Sequence, residues 1–256
     1  MDETLYRASN IHCKSVENTI IRDIIKAYAM YMKGYFKAVK EMTKSIVHML
    51  DHCDISLFLK EAYQLRISEL LANVSLFANS DIKKARFYSQ ILLNANITCT
   101  EYKSHGYYIL SMSYFFEDYT LAKKFLDKYA DYLRRNQDNK KLQYVLTNDY
   151  PFLDTWWGLN NREKIESASD LEKAHYYART GDQNKALNYL SKTTDEESAY
   201  YWYYKGIATN TQEDLTKSIM ILMNDGNKFF AQAPLNDLEN TYRKMMETVI
   251  DQYNIG

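Results

Sequence analysis

The chain has 256 residues, 46% of them hydrophobic and 25% charged, with a formal net charge of −1. That composition is folded rather than disordered, and the balanced charge gives no electrostatic footprint for nucleic acid. Seven glycines and two prolines are too few for the glycine-rich turns of parallel α/β enzymes or the many turns of all-β domains, which leaves an all-α fold.

No apolar run approaches the roughly 20 residues that a membrane span needs. Cys13, Cys53 and Cys99 form no CxxC pair, and no secretory apolar region precedes them. Free thiols in a reducing cytosol are the reading, and with it a soluble intracellular protein with no membrane partner.

In chain order, helical periodicity begins by about residue 16. Lys26, Lys33, Lys37, Lys40 and Lys44 read as the solvated side of a helix rather than a phosphate track. His48 and His52 stand one helical turn apart beside Asp51, Cys53 and Asp54. We read them as dipole-complementing residues at a helix C-terminus, with no metal bound.

A local phrase then recurs: a helix, a short polar turn, and a second helix opened by a small residue. It appears as AYAMYMKGYFKAVKEM (27–42), LFANSDIKKARFYSQIL (76–92), SYFFEDYTLAKKFLDKY (113–129), HYYARTGDQNKALNYL (175–190) and KGIATNTQEDLTKSIMIL (205–222). The small residue is Ala38, Ala85, Ala122, Ala186 and Ser218 in turn. It lets the second helix close onto the first.

The steps between them are 47, 37, 64 and 32 residues, against a tetratricopeptide (TPR) period of about 34. A degenerate pair around 141–161 would fill the long step. The first step implies a divergent pair or an inserted helix. Ser80-Asp81, Asp118, Gly181-Asp182 and Asn210-Thr211 supply caps and left-handed turn positions.

The whole chain, 1–256, is thus expected to be one TPR-like, right-handed helical-repeat solenoid with repeats over about 16–233. Pro234 is expected to open a terminal helix over about 234–254. There Leu238, Tyr242, Met245, Met246, Val249 and Tyr253 share an apolar face that caps the stack or pairs with a second copy as a homodimer.

Two first helices carry polar stripes at matching intervals. Arg66, Glu69 and Asn73 fall at i, i+3, i+7, with Asn73 beside the apolar face of Leu70, Val74 and Phe77. Glu172, His175 and Arg179 repeat the interval, while Ala174, Tyr177 and Ala178 carry the packing. An amide in apolar surroundings needs partners, and one facing a groove can hold an extended peptide's main chain. A carboxylate, Glu172, would take its cationic group from the other wall. Ordinary solvated polar positions are the alternative.

The aromatic run AYYWYY (199–204) surrounds a helix. Core is expected for Trp202 and at least two tyrosines. Tyr200, sharing a face with Glu196, stands as core or ligand face. The chain has no GxGxxG, GxxxxGK[ST], GxSxG or HExxH, and Cys99 with His105 lacks a third partner. No catalytic residue, no cofactor and no enzymatic activity are expected.

With these stripes in place, the chain resembles the AimR family, the arbitrium peptide receptors of Bacillus phages, within the wider Rap–Rgg–NprR–PlcR–PrgX class. AYQLRISELLANVSLFANS, YYILSMSYFFEDYTLAKKFLDK, DLEKAHYYARTGDQNKALNYLSK, and AYYWYYKG followed by DGNKFFAQAPL carry the resemblance, over about 60–245. It implies a cytosolic receptor in the host bacterium that binds a short signalling peptide in the repeat groove and regulates transcription of the lysis–lysogeny switch. It places the family's groove asparagine on Asn73 and its glutamate on Glu172. The acidic residue near the last turn falls on Asp225 or Asn227. The family's DNA-binding helix-turn-helix has no room before the repeats, so direct DNA binding by this chain is not expected. A protein–protein scaffold with no small peptide ligand is the alternative.

Overall fold

The computed structural model describes residues 3–97, 99–159, 165–193 and 197–254, with side chains as far as Arg243. The backbone divides into two compact units, 1–137 and 138–256. Every regular element among the described residues is helical.

In the first unit, α1 (Glu3–Ser9) precedes three helical hairpins: α2 (Val16–Met32) with α3 (Phe36–His52), α4 (Leu57–Asn73) with α5 (Ile82–Leu93), and α6 (Thr100–Tyr114) with α7 (Tyr119–Arg135). Helix α4 runs on through a π-helical turn, Val74–Ala78. Ile20, Ile24, Ile46, Leu50, Tyr63 and Ile67 form one buried cluster, and Ala27, Val39, Leu70, Val74 and Ala78 a second.

In the second unit, α8 (Asn139–Tyr144) passes through another π turn, Val145–Asp149, into α9 (Tyr150–Trp156). Then come α10 (Asp170–Arg179) with α11 (Gln183–Leu190), α12 (Ala199–Thr209) with α13 (Gln212–Asn224), and α14 (Lys228–Asn254).

The turn chemistry behaves as the residues dictate. Asp81, Asp118 and Asp182 each accept a hydrogen bond from the backbone N–H three residues on, at 3.1, 3.0 and 3.2 Å, which satisfies an orphan donor of the next helix. Ser80, Gly181 and Asn210 adopt the left-handed conformation. Thr211 departs from expectation: its side chain caps nothing and pairs with the Thr209 hydroxyl at 2.7 Å.

Ala85, Ala122, Ala186 and Ser218 are fully buried where their helices cross. Ala38 is exposed, and Val39 packs in its place. The long first step therefore reflects longer helices, since α3 follows α2 and α4 follows α3 with no inserted helix. Glycines on the first helices of two pairs complete the close approach. A Cβ on Gly206 would lie 2.8 Å from Leu215 Cδ2 and 3.0 Å from its backbone nitrogen.

Residues 139–156 run as one helix with a π insertion, and the rest of the pair expected around 141–161 lies outside the described residues. The terminal helix begins at Lys228, six residues earlier than expected, because Asn227 caps it: its Oδ1 accepts from Phe230 N at 3.3 Å. Pro234 sits inside that helix. The side chains of Met245, Met246, Val249 and Tyr253, expected to form the pairing face, lie outside the described residues.

Candidate functional site

The first polar stripe is built on α4. Ser56 caps the helix, accepting from Leu59 N at 3.3 Å. Buried Leu65, Ile67 and Leu70 fix its inner side, which turns Arg66, Glu69 and Asn73 to one flank. Arg66 Nη1 lies 3.4 Å from Glu69 Oε2, and its guanidinium stands 5.2 Å from the centre of the Tyr102 ring on α6. Tyr28 on α2 donates its hydroxyl to Glu69 Oε2 at 2.6 Å. Burial, then the Glu69 charge, pushes the Tyr28 phenol up.

Asn73 is half-buried at the point where α4 passes into its π turn. Its Nδ2 donates to the Glu69 carbonyl at 2.9 Å and to His105 Nε2 on α6, also at 2.9 Å. The amide thus ties α4 to α6, while its Oδ1 remains the end that can serve an outside donor. Cys99 turns toward Glu101, 3.8 Å away, not toward His105.

A cleft of about 630 Å³ opens on the same unit, lined by Ile21, Ile25, Tyr28, Met32, Tyr63 and Arg66 among others. Ile21, Ile25 and Met32 are exposed there.

The second stripe has a different setting. Ser169 caps α10, accepting from Glu172 N at 3.2 Å, and its own hydroxyl donates to Asn148 Oδ1 at 2.8 Å. That bond staples the π turn to the start of α10. Glu172 is 4% exposed and His175 is 0% exposed, so both are enclosed rather than solvated. Helix α10 is covered on more than one side. Tyr177 stacks on Tyr189 of α11, with centroids 5.6 Å apart, and His175 stacks on Tyr204 of α12 at 4.3 Å. Phe152 of α9 closes on His175 at 4.9 Å.

Glu172 Oε1 accepts from the Tyr204 hydroxyl at 2.8 Å. Its Oε2 stands 3.4 Å from His175 Nδ1, close enough to pair but not aligned for a hydrogen bond. Burial lifts the Glu172 carboxyl to about 8, with Asp149 adding to the rise against the opposing Tyr204 bond. Burial also lifts Asp149 to about 7, and it holds His175 well below the usual imidazole range.

Arg179 reaches His175 Nε2 at 3.5 Å, but its main partners are elsewhere. Its Nη1 and Nη2 make a two-pronged pair with Asp237 on α14 at 2.8 and 2.7 Å, and Nη2 also donates to the Tyr203 hydroxyl at 2.6 Å. Tyr203 donates in turn to Asp237 Oδ2 at 2.7 Å. Asp237 belongs to no motif in the sequence. Its signal was the charge left to match once Arg179 points inward.

Tyr200 is half-buried among Phe152, Tyr204 and Phe230, at 6.0, 6.2 and 6.1 Å. Tyr203 and Tyr204 are core. Trp202 is not: it lies partly open beneath Lys217, whose ammonium is 3.3 Å from the ring centroid. Asn227 serves as the cap described above. Glu196 lies outside the described residues. The two histidines at 48 and 52 tilt against each other at 4.3 Å, and His52 Nδ1 donates to the His48 carbonyl at 2.8 Å. Among the described residues no cluster of potential metal ligands occurs, and no helix is long and apolar enough to cross a membrane.

The profile of the AimR transcriptional regulator-like family matches residues 1–240. The AimR transcriptional regulator of Bacillus phage phi3T is 27% identical over 93% of this chain. The chain spans 63% of that relative's length. An uncharacterized protein of Bacillus anthracis is also 27% identical, over 94% of this chain and 91% of its own. Among solved structures, phAimR with ligand matches at 27% identity and a TM-score of 0.69, covering 92% of this chain and 70% of the other. The likeness shows a helical-repeat, TPR-like fold.

Proposed function

Because the chain belongs to the AimR transcriptional regulator-like family, we propose that it is an intracellular receptor for a short signalling peptide, acting in the phage lysis–lysogeny decision. The supporting observation is the match to phAimR with ligand over 92% of the chain. In this reading, the Arg66–Glu69–Asn73 flank holds a peptide's polar groups and main chain. Glu172, with His175 and Tyr200 around it, receives the peptide's cationic group. Asn227 shapes the turn into the terminal helix, and Glu196 lies on the segment before Tyr200 in sequence. The chain works in the host cytosol, pairs as a homodimer, performs no catalysis and, taken alone, makes no direct contact with DNA.

A thermal-shift panel of short peptides tests this. A cognate peptide at about 100 times its dissociation constant adds about 2.7 kcal/mol of stability, read as a rise in melting temperature. A flat panel across peptides encoded beside the gene, with capture of a large protein partner, would support the second reading. That reading is a TPR-like interaction scaffold, favoured by the exposed Ile21, Ile25 and Met32 along the 630 Å³ cleft.

A further inference from the structure

Asn73 has no choice over which end of its amide it shows. Its side-chain nitrogen lies 2.9 Å from the Glu69 carbonyl oxygen and 2.9 Å from His105 Nε2. A backbone carbonyl only accepts, so the amide atom facing it is the nitrogen, with one hydrogen directed inward. The second amide hydrogen then goes to His105 Nε2. That nitrogen has to be the bare, accepting one of a neutral ring whose proton sits on Nδ1. Both donors of Asn73 are thus spent inside the protein. An asparagine with no partners offers a ligand two donors and an acceptor; this one offers its oxygen alone.

The ring that imposes this is itself held. His105 is half-buried on α6, between Ser104 and Gly106, both buried. A Cβ on Gly106 would lie 3.1 Å from the Leu93 side chain and 3.2 Å from the Ser89 carbonyl oxygen, both on α5. The glycine beside the ring therefore lets α6 approach α5 closely. Along the same side, the His105 ring stands 6.3 Å from Tyr108, and Tyr108 stands 5.0 Å from Tyr129 of α7. Turning the Asn73 amide over would set its oxygen against two acceptors and lose both bonds.

We propose that His105 is a positioning residue of the peptide site: as the Nδ1–H tautomer it locks the Asn73 oxygen outward, so that this position selects a ligand main-chain N–H and rejects a carbonyl. The proposal rests on the peptide-receptor reading. A ligand carbonyl placed there would meet oxygen against oxygen. A proline or an ester at that ligand position brings no N–H and leaves the Asn73 oxygen unpaired.

Nitrogen-15 NMR of the histidine-labelled free protein is the first test, at about pH 8, above the ordinary imidazole range, with His105 assigned through His105→Gln. It should show Nε2 of His105 as the bare nitrogen and Nδ1 as the protonated one. A proton on Nε2 overturns the proposal and leaves the receptor reading standing. The second test takes the peptide that binds best in the thermal-shift panel, with analogues in which one main-chain N–H at a time is replaced by an ester oxygen. One analogue should bind about tenfold more weakly than the parent peptide. In His105→Phe the parent peptide should lose about tenfold while that analogue binds no worse than before, so the gap between them closes. His105→Gln, which brings back a side-chain acceptor, should restore most of the gap. A packing role alone would weaken both peptides alike and keep the gap, which overturns the proposal. A set of analogues that all bind like the parent peptide overturns it too. If no peptide in the panel binds, the receptor reading falls and this proposal falls with it.

Discussion

Helix α4 and helix α10 carry polar residues at the same interval, 66–69–73 and 172–175–179, and bury them to opposite degrees. On α4, Arg66 is exposed and Asn73 half-buried. On α10, Glu172 is 4% exposed and His175 is sealed. The interval puts three side chains on one flank of a helix in both cases. What differs is the neighbours. Helix α4 is met on that flank by single side chains, Tyr28 from α2 and His105 and Tyr102 from α6. Helix α10 is met by Phe152, by two consecutive tyrosines of α12, and by the Asp237 bond from α14. Periodicity assigns a face. The depth of that face depends on residues far along the chain.

The largest effect is expected from the clasp. Breaking a partly enclosed, two-pronged Arg–carboxylate pair leaves one charge stranded. Asp237→Ala should therefore cost about 3 kcal/mol in urea denaturation. A loss under about 0.5 kcal/mol would mean that Arg179 and Asp237 are effectively solvated.

Next comes the pH dependence of Glu172. Its folded value, about 8, lies above the ordinary 4.5. Between the two, the folded state holds a proton that the unfolded state has lost, so this group's contribution to stability falls as pH rises. Glu172→Gln should flatten that fall and be more stable than the parent at about pH 8 by at least about 1 kcal/mol. At about pH 4, below both values, the advantage should vanish.

Asn73→Ala should cost about 1–2 kcal/mol, because it removes a half-buried bridge between α4 and α6. Its effect on peptide affinity then has to be judged against that loss. Arg66→Ala should change stability by less than about 0.5 kcal/mol, as expected for an exposed ion pair. If Arg66→Ala proves costlier than Asn73→Ala, the contrast drawn between edge and bridge on α4 is wrong.

The fold was largely legible. Few glycines and prolines, a repeating small residue, and aspartates before helices are local signals, and each acts where it stands. Ala38 misled because Val39, one position on, reaches the same crossing, and a one-residue shift leaves periodicity unchanged. Pro234 misled because proline is tolerated well inside a helix start only when packing compensates, and Asn227 had already set the start. Trp202 shows a different limit: Lys217 covers an indole that otherwise stays partly open, and spacing does not mark that lysine. Of the site, the residue types were legible, and their partners were not. Asp237 is brought to Arg179 by the terminal helix, and that pairing leaves no trace in spacing.

The enclosure of Glu172 is the point on which the comparison turns. Carbon-13 NMR of a protein labelled at the glutamate side chains, titrated across pH and assigned through Glu172→Gln, reads it directly. The account predicts a Glu172 carboxyl midpoint near the raised value of about 8 in the free protein. A midpoint at the ordinary glutamate value of about 4.3 would place that carboxylate in water, and would contradict it.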